Sequence, residues 1–516
     1  MNSVADNPYD AVPYLSYPYT LTRPANLHAV GTLFGIPAPD FRTARVLELG
    51  CASGGNLIPL AFHYPDAHYV GVDFSERQIE MAAKTVSELD LENIEFIARP
   101  FADMPTSDKF DYIICHGVYS WVDDDARRRI LEICRTQLVE NGLAVISYNT
   151  LPGWNMVRCL REMMRYHAKL FDDPTERVAQ AMELLRFVRD NNAEGSAYRT
   201  VIDSEINRLS EKTVSYVTHE HLESENNQFY FHEFAAHLEQ HGLQYVGDSN
   251  IAHMYVDNLP EDAAEKLKAV TDILRQEQYI DFILNRRFRS SIVCPEAAVV
   301  ERNLRQEAIH KFYLSTPIKP DEGDLKAKTT DTRFRDSSGK VVFTAHTKEI
   351  AVLFGELSES LQPIKSGDLV DMAARNLDGA DRDLLRGVVE EFGIRLALKG
   401  LITLRTEAGS HVSHVSKMPK ASRLVRHQVS IHDWATNTWH EKVGHDLFTR
   451  ILIGYLDGSN SLDDLCQIMS EQVDKGVLTV QIDGKDIADA KQRRLVIKSL
   501  TETALGSMAQ HALLVA

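Results

Sequence analysis

Along the first 150 residues the hydrophobic positions fall in short runs separated by turn residues, and these runs alternate with stretches of helical spacing. Val46, Leu47 and Leu49 form a run that breaks into a small-residue turn, GCASGG at 50–55, after which 57–62 has helical character. Residues 69–73 (YVGVD) predict a second strand ending in a carboxylate, and 75–89 a helix opened by a Ser75/Gln78 capping box. Third and fourth strands are predicted at 94–98 and 110–116, the latter apolar along 112–115 as a strand buried on both faces should be. A helix over 126–138 ends at Asn141 and Gly142, and a fifth strand follows at 143–149. Strands alternating with helices in this way predict an α/β fold with a parallel sheet.

Beyond that the pattern lengthens. Residues 153–212 carry apolar positions at helical spacing (Met156, Leu160, Met163, Met164, then Val178, Met182, Leu185, Val188) and predict a helical insertion. A helix over 231–241 closed by Gly242 leads to a candidate sixth strand at 244–247, and a helix around 263–288 leads to a candidate seventh at 290–294. Residues 315–345, rich in Lys, Asp, Thr and Gly, predict a linker or an exposed hairpin. Helices over 368–375 and 384–396 closing on a strand at 401–405 resemble a winged-helix arrangement, and 425–516 reads as a mostly helical tail with Trp434, Trp439 and His440 close together. In the first 44 residues Tyr9, Tyr14, Tyr17, Tyr19 and Phe34 are interleaved with Pro8, Pro13, Pro18 and Pro24, which forbids a long helix. They form either an arm packed over the domain by its rings or a lid whose tyrosines line a site. The resulting division is an arm over 1–44, a cofactor-type core over 45–150, an insertion over 151–228, the end of the sheet with further helices over 229–300, a linker over 301–345 and a mostly helical C-terminal domain over 346–516.

Composition narrows the function. A chain of 516 residues, 44% hydrophobic and 25% charged, has the make-up of an ordinary globular protein of two or three domains. Its formal charge of −18 argues against a nucleic-acid partner held through phosphates, and an acidic enzyme sooner meets a basic substrate. Cys51, Cys115, Cys134, Cys159, Cys294 and Cys466 lack paired spacing, so they are expected to be buried small hydrophobes in a reducing compartment, with neither disulfides nor a metal site. With no N-terminal targeting pattern and no long apolar run, a cytoplasmic protein without membrane insertion is expected.

The glycine turn admits two cofactor readings. A dinucleotide site wants G-x-G-x-x-G against a helix N-terminus, but Ala52 stands at the second glycine position and Glu48 lies two residues before Gly50, where it would repel a pyrophosphate. Glu48 suits a cofactor carrying positive charge, S-adenosylmethionine, whose carboxylate can still use the loop amides. Asp73, at the end of the second strand, is placed to accept from both ribose hydroxyls. Asp103, in the loop after the third strand, is placed for the adenine amino group with Phe101 or Met104 as apolar cover, or is simply a solvated loop acid. Gln78 is either a cofactor contact or only a cap.

This stretch resembles the class I S-adenosylmethionine-dependent methyltransferases, with a Rossmann-like seven-stranded sheet. The segments CHGVYSWV (115–122), SYNTLPGW (147–154), FYFHEFAAHLEQHGLQYVG (229–247) and EQYIDFILNRRFRSSIV (277–293) are similar to the bacterial methyltransferases that carry a methyltransferase regulatory domain. The tyrosine-rich start (YDAVPYLSYPY, 9–19) and the C-terminal region resemble the protein-lysine methyltransferases of rickettsiae, which act on outer-membrane protein. The resemblance implies that Glu48, Gly50, Ala52, Gly54, Asp73 and Asp103 hold S-adenosyl-L-methionine, with His116 and Gly117 beneath its methionine part, and that the protein is a homodimer; Asn56 and Gln78 are further cofactor-side candidates. A lysine acceptor must be deprotonated, which a desolvated pocket beside a sulfonium favours, and aromatic walls can guide it. Tyr119, Trp121, Asn149 and His116 are the catalytic candidates, and Tyr9, Tyr17, Tyr19 and Trp154 the substrate-side ones. Each ring is otherwise a core residue, and His116 either a base or a structural partner. Transfer to a small metabolite by the same apparatus, and cofactor binding without catalysis, are the alternatives.

Overall fold

The computed structural model describes residues 15–105, 107–321, 331–377, 381–482, 485–487 and 489–516. Its centre is β1 (Arg45–Leu49), around which β2 (His68–Asp73), β3 (Ile94–Ala98), β4 (Phe110–Cys115), β5 (Leu138–Asn149), β6 (Leu243–Asp248) and β7 (Phe288–Pro295) form one sheet in the order β3-β2-β1-β4-β5-β7-β6. The first five strands run parallel, and β7 is antiparallel to both β5 and β6. Both faces are covered, which is why β1, β2 and β4 are apolar almost throughout. This is a class I methyltransferase fold, with the mixed edge made by the last strand.

Some sequence expectations are corrected here. The helix Asp124–Gln137 passes directly into β5 at Leu138, which pairs with Phe110; Leu143 then pairs with Tyr112, so 139–142 lies within an irregular stretch of strand instead of ending the helix. A waiting partner strand outweighs the turn preference of Asn141–Gly142. The helix expected around 263–288 is two, Glu261–Lys268 and Ile273–Leu284, because Asp272 Oδ1 accepts from the Leu274 and Arg275 N–H groups and starts the second. Cys159 is exposed, unlike the other five cysteines.

The insertion, Gly153–Ala168, Pro174–Asp190 and Ala197–Ser210, has its own core of Leu160, Met164, Met182, Leu185, Ile202 and Ile206. After the sheet ends, Tyr313–Ser315 pairs with both Ile364–Lys365 and Thr403–Arg405, and helices Lys348–Glu359, Ser366–Asn376 and Arg382–Leu398 pack around this small sheet. The stretch read as a linker or an exposed hairpin contains the antiparallel pair Thr332–Arg335 and Val341–Ala345, a hairpin that is not merely exposed, since its fully buried Phe334 packs on Phe343 and Phe354. Residues 322–330 of that stretch lie outside the described residues. The last unit, helices Arg423–Ile431, Leu447–Gly454, Leu462–Asp474 and Ala490–Gln510 with a hairpin of Trp434–Thr436 and Lys442–Gly444, closes on a separate core that includes Val425, Leu452, Leu465, Met469 and Leu505. Among the described residues no helix is long and apolar enough to cross a membrane.

Candidate functional site

From β1 the chain runs outward through β2 and β3, then returns to lay β4 on the other side of β1. The crevice at the carboxyl ends of β1 and β4 is therefore a topological switch point, where open α/β sheets bind ligands. Its walls are the turn at 50–55 and the pair His116–Gly117. Gly50 has φ +75°, and a Cβ there would fall 2.3 Å from Val118 Cγ2, so a side chain would push the walls apart. Ala52 has φ +46°, a conformation that costs a non-glycine residue roughly 1–2 kcal/mol. Asp73 Oδ2 accepts its N–H at 2.9 Å and holds it there.

Asp73 Oδ1 accepts from the Ser75 N–H at 3.0 Å, so one carboxylate ties the turn after β1 to the helix Glu76–Glu88 after β2. Only half of the expected capping box forms: Ser75 Oγ accepts from the Gln78 N–H at 3.2 Å, while the Ser75 N–H goes to Asp73.

Glu48 is only 4% exposed. Its Oε1 accepts from Asn56 Nδ2 at 2.8 Å, and its Oε2 is buried with no partner among the described residues. Burial pushes the Glu48 pKa up to about 8; the Asn56 hydrogen bond opposes the shift and the charge of Asp73 adds to it. A carboxylate left half-satisfied in the interior is costly unless something cationic or a donor completes it. The group that the resemblance implies, with its ammonium and sulfonium, has that chemistry, so the donor set fits it.

Asn56 is a junction. Its Oδ1 accepts from the Tyr19 N–H at 3.0 Å, and because a backbone N–H can only donate, the opposite atom facing Glu48 must be Nδ2. His440 Nε2, from the hairpin of the last unit, lies 2.8 Å from the same Oδ1 and is therefore the donor. The arm is close at hand: Ser16 Oγ accepts from the Gly55 N–H at 2.9 Å, and the Tyr19 ring lies 4.0 Å from the His116 ring. Tyr17 instead packs edge-on against Trp434 at 5.4 Å with Lys442 Nζ 3.9 Å from its ring centre. Tyr9 lies outside the described residues.

On the opposite wall, burial holds the His116 pKa down at about 4, and its Nδ1 has no partner among the described residues. The Gly117 N–H donates to Ser147 Oγ at 2.8 Å, and no atom lies within 4 Å of where its Cβ would be. Asp103, on the short turn Phe101–Asp103, is exposed beside buried Met104.

The acceptor-side expectations fare differently. Tyr119 is 1% exposed, packed among Tyr148, Phe229 and Phe234 with its hydroxyl 3.2 Å from His237 Nδ1; it is a core residue and lines no opening. Trp154 is likewise buried, in the first helix of the insertion near His221. Trp121 is half-buried in the turn after β4. Asn149 sits at the carboxyl end of β5, with Nδ2 donating to Asn226 Oδ1 at 3.0 Å. Ser16 and the contact from His440 were not found from sequence, since neither is near the turn along the chain; the only trace was the cluster of Trp434, Trp439 and His440.

Fold and crevice together define a class I methyltransferase. Residues 40–205 match the family model of a methyltransferase domain, 213–295 that of a predicted methyltransferase regulatory domain, and 417–513 that of the PKMT C-terminal winged helix domain. An uncharacterized protein of Rickettsia prowazekii is 40% identical over 99% of this chain and 95% of its own, and another from Synechocystis is 30% identical over 57% of this chain and 60% of its own. Among solved structures, PKMT2 from Rickettsia typhi in complex with AdoHcy is similar over 98% of this chain and 100% of that one, at 31% identity and a TM-score of 0.90. The chain belongs to this family of S-adenosylmethionine-dependent methyltransferases with a regulatory domain and a C-terminal winged helix domain.

Proposed function

We propose that this methyltransferase transfers methyl groups to lysine side chains of a protein. What supports the reading above all is the length of the likeness to PKMT2, which extends through the regulatory and winged-helix parts; a metabolite acceptor would not call for them. A formal charge of −18 favours an acceptor carrying basic residues. The same reading takes the chain as a homodimer in the cytoplasm, acting on a surface or outer-membrane protein.

In this reading S-adenosylmethionine supplies an activated methyl group on a sulfonium. Glu48 Oε2 offers its buried charge to the cationic part, Asp73 accepts from the ribose, Asp103 caps the adenine edge, and the turn Gly50–Ala52–Gly54 with Asn56 and Gly117 brings backbone close enough to shape the cavity. Gln78 acts through the helix start. Tyr19 and His116 form a wall that excludes water. His116, with a pKa near 4, is far too weak a base to take the proton of an ammonium of reference pKa about 10.4, so its part is positional. Loss of that proton falls to desolvation and the neighbouring positive charge, both of which favour the neutral amine. Asn149 and Trp121, at the ends of β5 and β4, remain the acceptor-side candidates; placing the amine in line contributes roughly 7–11 kcal/mol of the barrier reduction.

The test is incubation with labelled S-adenosylmethionine and bacterial envelope and cytosol fractions. Label in a protein band that maps to lysine by mass spectrometry is expected. Label confined to small molecules would overturn the reading, as would bound cofactor with no transfer.

A further inference from the structure

Tyr19 from the arm, Glu48 from β1 and His440 from the last unit all bond the carboxamide of Asn56. The arm adds the Tyr19 N–H to the oxygen and the Thr22 hydroxyl, which accepts from Asn56 Nδ2 at 3.2 Å. His440 is held from several sides. It is 2% exposed and has φ +62° at the tip of the hairpin between Trp434–Thr436 and Lys442–Gly444. Asn437 builds that tip: its Oδ1 accepts from the N–H groups of Trp439 and Glu441, both at 2.9 Å, and its carbonyl accepts from the His440 N–H at 3.0 Å. Thr20 Oγ1 donates to the His440 carbonyl at 2.9 Å, and the neighbouring Trp439 ring has the Arg405 guanidinium 3.8 Å from its centre.

We propose that His440 is a positioning residue of the cofactor pocket: by donating from Nε2 to Asn56 Oδ1 it keeps Asn56 Nδ2 turned toward Glu48, so that the winged-helix domain completes the floor of a site built by β1. The inference rests on the reading that Glu48 and Asn56 floor the cofactor pocket. Tautomer and charge both agree with it. Nδ1 has no partner among the described residues, which leaves the proton on Nε2. Burial, with Arg23 and His63 nearby, keeps the imidazole neutral at ordinary pH, so it acts as a donor and adds no charge beside a cationic cofactor. The groups that Glu48 itself faces are Asp73, Cys51 and Cys115.

Side-chain length gives a clean test. Asparagine accepts a left-handed backbone but is too short to reach position 56, whereas glutamine reaches and donates. S-adenosylmethionine binding to the full chain is measured by calorimetry from pH 6.5 to 9, with thermal melting as the check on folding. His440→Asn, and His440→Phe as a second non-donor, are expected to weaken binding about tenfold, while His440→Gln stays within about threefold of the parent. The pH at which affinity reaches half its maximum should move up in the two non-donors, because Glu48 loses the hydrogen bond that favours its ionised form; a purely structural role would leave it in place. Unchanged affinity and pH midpoint in folded His440→Asn and His440→Phe, with Glu48→Gln weakened, overturns the inference alone. If Glu48→Gln also binds as the parent does, the cofactor reading beneath it fails.

Discussion

The two sides of the crevice are made of opposite material. On the cofactor side stand Glu48, Asp73, Asn56 and a turn with Ala52 in a left-handed conformation, features that cost free energy in an empty protein. On the acceptor side the residues singled out are rings, and Tyr119 and Trp154 have gone into the core, where burying an aromatic stabilises the fold whatever the function. A buried carboxylate oxygen without a partner points to a ligand. A buried ring points to nothing beyond its neighbours.

The sharpest way to break this contrast is Asp73→Ala. Loss of a charged acceptor should lower S-adenosylmethionine affinity by about 1.5–3 kcal/mol, roughly 10- to 150-fold by calorimetry, and the freed Ala52 N–H adds to the loss. Unchanged affinity would show that the ribose lies elsewhere. Next comes Glu48→Gln. Affinity in the parent should rise as pH passes through about 8 and Glu48 ionises, and the substitution should flatten that rise. The stability effect has the opposite sign. A carboxyl whose folded pKa is raised from 4.5 to about 8 stabilises the cofactor-free fold fully below pH 4.5, and that contribution is lost as pH rises to about 8. Melting temperature against pH across that window should therefore fall less steeply in Glu48→Gln. Tyr119→Phe removes only the hydroxyl that meets His237 and should cost about 0.5–1.5 kcal/mol of stability with turnover nearly unchanged. A large fall in turnover with normal melting would return the ring to the active site. The smallest effect is expected of Asp103→Asn: stability within about 0.5 kcal/mol at an exposed position, and a loss of affinity of only a few-fold.

What the sequence made legible follows the same division. β1, β2 and β4 differ from their expected bounds only at their ends, because a doubly covered strand is apolar by necessity, and the half-exposed edge strand β3 lies where the short β-prone run put it. Glu48 stood out because a charge inside a buried strand has no structural excuse, and Asp73 through its place at a strand end beside the turn, where it also holds two backbone N–H groups. The bulged start of β5 was hidden, since Asn141–Gly142 reads as a stop until Phe110 is known to offer Leu138 a partner. The break at Asp272 was a capping signal passed over within an otherwise helical pattern. Two- and three-residue strands such as Ile364–Lys365 and Thr403–Arg405 draw their order from Tyr313–Ser315, far away in the chain, and local composition cannot announce them. The contact between Asn56 and His440 spans 384 positions and leaves no periodic trace.

Asn56 also bears on how such chains can be recombined. One carboxamide serves an arm, a strand and a terminal domain, and its oxygen and nitrogen are committed in fixed directions. Aspartate would set a second carboxylate against Glu48, and leucine would take the partner from both Glu48 Oε1 and His440 Nε2. A chimera that grafts the winged-helix unit of another member onto this methyltransferase half is therefore constrained at one point above others: its hairpin must present a neutral donor of histidine's reach, or the graft will fold and still leave the first strand's carboxylate badly held.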